Sequence, residues 1–216
     1  MNIIVGGTHG LGQEIAAELR RRGEETFVTG RSYEEAKHGP GMQADLAIDK
    51  DMQALKKYIE SSDFKGFFWV AGYGYQGDFA KQPDPRKMVA VNLSNVLPVA
   101  QAAWKKLLDA GKESHYVIIS SMTGVKPRKN EAVYAATKHA QVGFARSLGL
   151  ESERLDAPVK VALFMPGGMH TPFWDGNEPA NFSEFLDPHK VAQRVVERAF
   201  KQTKPFYEET IERGSL

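Results

Sequence analysis

The 216-residue chain has no cysteine, which excludes disulfides, thiolate metal sites and a cysteine nucleophile and fits the cytoplasm. It has no excess of either charge. Its 28 Lys and Arg stand against 27 Asp and Glu, a formal +1, so net charge gives no reason to expect nucleic acid or an anionic membrane surface as partner. No stretch approaches the ~18 apolar residues of a membrane span. The start, Met1-Asn2-Ile3-Ile4-Val5-Gly6-Gly7, lacks the basic segment and long apolar core of a signal peptide. The expectation is a mature cytoplasmic protein with no membrane and no nucleic-acid partner. Repeats, low-complexity tracts and convincing linkers are also missing. About 1.4 typical domain lengths then read as one domain over residues 1–216. None of the six histidines is paired with a carboxylate at helix-face metal spacing, so no metal site is expected.

What is present is an ordinary globular balance, 42% hydrophobic and 25% charged, arranged as alternating short apolar runs and amphipathic segments. The runs are 2–6, 26–30, 66–71, 115–120 and 159–165, with a further one near 205–211. Each is too short for a helix and is bounded by Gly, Pro or polar residues, as in strands buried on both faces of a parallel sheet. Between them, Leu11, Ile15 and Leu19, then Met52, Leu55 and Ile59, then Val191, Val195 and Ala199 recur at helical spacing. Segments 86–110 and 131–154 also read as helices, the first with a kink at Pro98. The alternation predicts an α/β fold: a doubly wound, mostly parallel, Rossmann-like sheet of six or seven strands with helices on both faces. The least regular stretch, 166–183, follows a strand's carboxyl end, where open parallel sheets bind ligands.

The first strand runs into Gly6-Gly7-Thr8-His9-Gly10-Leu11-Gly12. Glycines at 6, 10 and 12 permit a tight turn and close backbone approach. The helix that starts there offers unpaired N–H groups and a positive dipole end to a pyrophosphate. At the end of the second strand stand Arg31 and Ser32, where an acidic residue would hold ribose hydroxyls. Arg31 can clamp a 2′-phosphate with the Ser32 hydroxyl beside it, which favours NADP(H) over NAD(H).

Tyr134 and Lys138 lie one helical turn apart, and Ser121 precedes the tyrosine by 13 residues at the end of a strand. A free phenol titrates near ~10, too high for proton transfer at neutral pH. A neighbouring ammonium lowers that value and makes a general acid/base. Tyr33 and Lys37 have the same spacing but no serine suitably upstream, and are set aside as coincidence.

In these residues the sequence resembles the short-chain dehydrogenase/reductase family over nearly its whole length: the glycine turn, Asp45, Ala71-Gly72, Asn92, Ser121, Tyr134, Lys138, Pro166-Gly167 and Thr171 follow in the family's order. The resemblance implies that Tyr134 exchanges a proton with the substrate oxygen and that Ser121 hydrogen-bonds that oxygen. Lys138 would bind the nicotinamide ribose and lower the Tyr134 pKa, and Asn92 would hold a relay water. Thr8, His9 and Leu11 of the glycine turn, with Asp45 and Leu46, would line the cofactor's phosphate and adenine side. Pro166, Gly167 and Thr171 would hold its nicotinamide side. Ser120 competes with Ser121; side chains alternate along a strand, so only one can face the cofactor. Met122-Thr123-Gly124 after Ser121 fits the family pattern. Two positions depart from it: Val5 replaces the usual Thr, and Val70 the usual Asn.

The expected function is NADP(H)-dependent interconversion of a small carbonyl compound and its alcohol, by a homo-oligomer (dimer or tetramer) on the resemblance. A non-catalytic NADPH-sensing protein shares the fold, and an epimerase with tightly held NAD would need a larger sugar domain. The basic loop 126–129 is read as solvated, with an acidic substrate or acyl carrier as its other reading. His170 could touch substrate. Tyr73, Tyr75, Phe173, Trp174 and Phe182 form either a substrate wall or lid packing.

Overall fold

The structure, a computed structural model, describes residues 1–174 and 178–216; the part of the irregular stretch at 175–177 lies outside the described residues. Short, mostly apolar runs become strands, and the central ones are covered on both faces. They are β1 (Asn2–Val5), β2 (Thr26–Gly30), β3 (Gly41–Gln43), β4 (Gly66–Trp69), β5 (Ser114–Ile119), β6 (Val159–Pro166) and β7 (Phe206–Ile211). They form one sheet in the order β3-β2-β1-β4-β5-β6-β7, and every neighbouring pair is parallel.

A short helix, α2 (Glu35–His38), lies between β2 and β3. Side chains alternate across the sheet with the strand period of two. Ile3, Val5, Phe67, Trp69, Tyr116, Ile118 and Leu163 enter one core, closed by α3 (Asp49–Ser61), α5 (Leu97–Ala110) and α6 (Ala132–Arg154) through Leu55, Ile59, Leu107 and Leu148. Ile4, Val28, Phe68, Val117 and Phe164 enter the other, closed by α1 (Gly10–Arg21) and α7 (Pro188–Lys201) through Leu11, Ile15, Leu19, Val191 and Val195. This is the predicted doubly wound architecture. The arginine run closing α1 does more than suit the helix dipole. Arg21 and Arg22 reach back to Glu18, a carboxylate with no exposed side-chain surface, at 2.8 and 2.6 Å. Arg20 donates to Thr26 Oγ1 at 2.7 Å, fixing the helix exit against β2.

The segment expected as one kinked helix is built otherwise. A short α4 (Pro85–Val89) runs into a single π turn, Ala90–Ser94, before α5 begins. Pro98 sits in the first turn of α5, where a missing N–H breaks no helical bond, so it starts a helix rather than bending one. The π turn carries Asn92, which is fully buried.

The strand order reverses direction at β1, which has β2 on one side and β4 on the other. Crossovers leave on opposite faces there, and the chain opens a crevice beyond the strands' carboxyl ends. Its floor is pinned by Gly6 and Gly7 N–H groups donating to Thr29 O at 3.0 and 2.9 Å and by Ala71 N–H donating to Val5 O at 2.8 Å.

Candidate active site

A cavity of about 700 Å³ fills that crevice, large enough for a dinucleotide-sized ligand with part of it open to solvent. At one end is the glycine turn. Gly6 has φ +90°, and a Cβ there would stand 2.6 Å from Ala71 Cα; a Cβ on Gly12 would stand 1.9 Å from the Gly6 carbonyl oxygen. Glycine is therefore required at both positions for β1, β4 and α1 to meet. His9, the residue before α1, does not cap the helix; its Nδ1 pairs instead with Thr8 Oγ1 at 3.1 Å. The first N–H groups of α1 are thus left without a side-chain acceptor at the cavity wall, an arrangement that suits a phosphate. The donor set fits a dinucleotide.

Arg31 and Ser32 follow β2 on the same wall. Among the described residues no carboxylate pairs with the Arg31 guanidinium, which leaves it open to an anion. Asp45 and Leu46 lie beside them. One Asp45 oxygen is already engaged, accepting from Ala47 N–H at 2.9 Å, which shapes the loop leaving β3. Ala71 and Gly72, and across the cavity Pro166, Gly167 and Thr171, complete the lining that the sequence indicated. Thr171 roofs the glycine turn: its Cβ would be 3.2 Å from a Cβ on Gly10.

Ser121, Tyr134 and Lys138 meet at the other end. Ser121 lies just past β5. Its Oγ accepts from Thr123 N–H at 3.1 Å, which leaves its one proton free to donate, and the hydroxyl acts on the Tyr134 phenol, drawing its pKa down. Ser120, the competing serine, donates to Lys138 O at 3.0 Å and is spent on holding α6 to the sheet. Lys138 Nζ donates to Ile119 O at 3.2 Å and to Gln141 Oε1 at 2.9 Å, and lies 5.7 Å from the Tyr134 ring centroid. Burial holds the phenol above its usual range, with Glu131 adding to the rise and Ser121 and Arg128 opposing it. Burial also pushes the Lys138 amine down to about 7. The sequence reading had the amine making the phenol acidic. In this geometry removal from water acts on both groups and favours both neutral forms, and at neutral pH the amine is divided between its charged and neutral forms.

Asn92 does not reach the cavity lining. Its Nδ2 donates to Tyr73 O at 2.8 Å and to Thr137 Oγ1 at 3.1 Å, its Oδ1 accepts from Tyr73 N–H at 2.9 Å, and its backbone O accepts from Gln141 Nε2 at 2.8 Å. It stitches the loop after β4 to α6. The aromatic loops divide. Tyr73, Tyr75, Phe173 and Trp174 line the cavity, and Phe173 stands 5.7 Å from Tyr134, ring to ring. Phe182 packs on Phe185 and His170 instead, which takes His170 up in packing. Met122 with Lys126, Pro127 and Arg128 of the basic loop borders a separate hollow of about 260 Å³. The Tyr33 phenol donates to Gly39 O at 2.8 Å and serves the β2–β3 connection.

The profile of the short chain dehydrogenase family matches residues 1–181. The chain belongs to the short chain dehydrogenase family. Among curated relatives it is 24% identical over 210 residues to carbonyl reductase family member 4 of Xenopus tropicalis, covering 89% of this chain and 88% of that one. It is 27% identical over 180 residues to the 3-oxoacyl-[acyl-carrier-protein] reductase of Homo sapiens, covering 78% and 75%. Among solved structures, an actinorhodin polyketide ketoreductase variant with NADPH superimposes with a TM-score of 0.81 at 23% identity, covering 99% of this chain and 96% of that one. A short-chain dehydrogenase from Sphingobium yanoikuyae in complex with NADPH gives 0.85 at 19% identity, covering 96% and 86%. As a short chain dehydrogenase the protein is an oxidoreductase, and the Rossmann-like sheet is the one these structures share.

Several residues at this short chain dehydrogenase site escaped the sequence reading. Gln76 and Glu131 line the cavity and are joined at 3.2 Å, with Thr123 Oγ1 donating to the same carboxylate at 2.9 Å. Gln141 contacts Lys138 but is fully buried. Its spacing of three from Lys138 places it on the same helix face, which was the available signal.

Proposed function

We propose that the protein is an NADP(H)-dependent oxidoreductase that interconverts a ketone or aldehyde and its alcohol. One observation carries the reading: a serine hydroxyl beside a half-buried phenol, with a lysine one turn on, at the far end of a cavity that begins in a glycine-lined helix N-terminus. Gly6, Thr8, His9, Gly10, Leu11 and Gly12 would hold the pyrophosphate, Arg31 and Ser32 the 2′-phosphate, and Asp45 and Leu46 the adenine. Ala71, Gly72, Pro166, Gly167 and Thr171 would hold the nicotinamide half, with Lys138 on its ribose. Bound NADPH supplies the hydride.

In the reductive direction Ser121 donates to the substrate oxygen and polarises the carbonyl. Tyr134 then gives its proton to the developing alkoxide, and a phenol kept protonated by burial begins in the form this step needs. Lys138 in its charged form stabilises the phenolate left behind. Asn92 acts at one remove, fixing the backbone around Gly72 and α6. The relatives named as carbonyl and 3-oxoacyl reductases support the carbonyl class, and the NADPH bound to two structural neighbours supports the cofactor.

The test is NADPH oxidation over a panel of carbonyls graded by size and charge, with Tyr134→Phe alongside. Turnover by the wild type and a loss of at least about 100-fold in kcat by the variant, with NADPH affinity kept, is the expected result. A variant as active as the wild type refutes the mechanism, and tight NADPH binding without turnover on any carbonyl refutes the enzymatic reading.

A further inference from the structure

Gln141 lies on α6, between Lys138 and the π turn, and has no solvent exposure. Its two amide atoms face opposite demands. Oε1 accepts from Lys138 Nζ at 2.9 Å, and Nε2 donates to Asn92 O at 2.8 Å. Turning the amide over would set NH2 against an amine and oxygen against a carbonyl, so only one orientation satisfies both partners. An ammonium has three donors. Ile119 O and Gln141 Oε1 take two, leaving one for the cavity. A Cβ on Gly72, which lines the cavity, would stand 3.5 Å from Nζ. The link is a chain: β5 holds the amine, Gln141 holds it again, the π turn holds Gln141, and Asn92 holds the loop after β4.

We propose that Gln141 is a positioning residue for Lys138, its carbonyl favouring the ammonium form and aiming the free N–H into the cavity while Asn92 fixes the amide from behind. Its relevance to turnover rests on the proposed function; its action on Lys138 does not. Two partners that only accept, Ile119 O and Gln141 Oε1, hold a cation more strongly than a neutral amine, because their bonds to an ammonium are charge-assisted and they offer nothing to an amine's lone pair. No carboxylate forms an ion pair with Lys138 among the described residues. The titratable groups toward it are Tyr134 on α6, with Glu131 and Arg128 acting on that phenol. β5 and the π turn present carbonyls, amides and the Ser120 hydroxyl. Neutral dipoles therefore carry the whole task of offsetting burial. An amide also exchanges protons far more reluctantly than water or a hydroxyl. The route from Lys138 toward Asn92 is consequently a brace and not a proton path, and protons exchanged at the phenol leave by the cavity side.

The experiment is an NMR titration of Lys138 in protein carrying 13C-labelled lysine, its signal assigned by loss in Lys138→Met. It is done without cofactor or substrate. Gln141→Met keeps length and bulk but removes both polar contacts, and Gln141→Glu sets a carboxylate against the amine. Lys138 is expected to titrate about one pH unit or more lower in the first variant and higher in the second. With NADPH and a substrate from the panel, the pH midpoint of kcat should move with it, and KM should change less than about threefold. Folded variants in which the Lys138 titration stays put, or moves the same way in both, overturn the proposal; loss of thermal stability alone without opposite shifts does the same. If Gln141→Met does not fold, the direction of the Gln141→Glu shift decides. Failure of the wild type to bind NADPH or turn over would instead refute the proposed function and leave this titration readable.

Discussion

Replacing Gly12 by alanine is the sharpest perturbation of the cofactor cradle. The new methyl would arrive 1.9 Å from the Gly6 carbonyl oxygen, while carbon and oxygen rarely approach within ~3.0 Å, so turn and helix must separate by roughly 1 Å. The helix has little freedom to yield, because Leu11, Ile15 and Leu19 are buried against the sheet. Overpacking of this kind costs ~1–3 kcal/mol, which for a chain this size lowers Tm by about 3–10 °C. The effect on ligand should be larger. A displacement of about 1 Å carries N–H···O contacts from ~2.9 Å beyond hydrogen-bonding range. Losing two bonds to a charged phosphate at ~1.5–3 kcal/mol each weakens NADPH by at least about 100-fold. Calorimetric titration with NADPH reads the affinity, and a thermal melt reads the stability. Gly143→Ala is the control. Gly143 lies on an exposed face of α6 with no atom within 4 Å of the added methyl, so it should gain ~0.5–1 kcal/mol of stability with unchanged affinity. A Gly12→Ala protein that binds NADPH within about threefold of wild type would refute the cradle as the phosphate site.

Arg31→Asp should weaken NADPH by about 10–100-fold and leave NADH unharmed, and equal losses for both cofactors in the same titration would sink the 2′-phosphate assignment. The Lys138 amine titrates near 7 in the folded chain against a usual 10.5. Its folded form therefore holds fewer protons than the unfolded form between those values, and stability should rise with pH across that window. Compared with wild type in urea denaturation, Lys138→Met should be relatively most stabilised at or below pH 7, with the difference shrinking toward pH 10; a constant difference would contradict the burial. A methyl on Gly74 would stand 2.5 Å from Phe173 Cζ, so Gly74→Ala should push that ring off Tyr134 and raise KM for compact carbonyls by more than it changes Tm. Unaltered KM across the panel would show that the ring does not border the substrate.

Most of the sheet was readable because its central strands are short, mostly apolar runs bounded by Gly, Pro or polar residues. β3 was harder: only three residues long and with no fully buried side chain, it is too short and too mixed to stand out as an apolar run. The π turn was not readable at all, since Ala90 to Ser94 carry an ordinary helical pattern and the widened turn comes from Asn92 seeking partners on two other elements. At the site, glycines, serine, tyrosine and lysine were legible because their chemistry demands those residue types. Gln141 was not, because a glutamine in a helix is usually a surface residue. The charge state of the phenol was misjudged for a related reason: spacing shows that an amine is near, and only the packed structure shows how far both groups are withdrawn from water.

The contact between Gly10 and Thr171 joins residues far apart in the chain. A growing polypeptide that has emerged only as far as α6 owns its turn, its serine and its phenol, yet the nucleotide pocket still has no ceiling. On the proposed function, capture of the coenzyme therefore comes late in synthesis, after β6 and the loop beyond it have been delivered, and a fragment ending at α6 should not hold NADPH as the whole chain does.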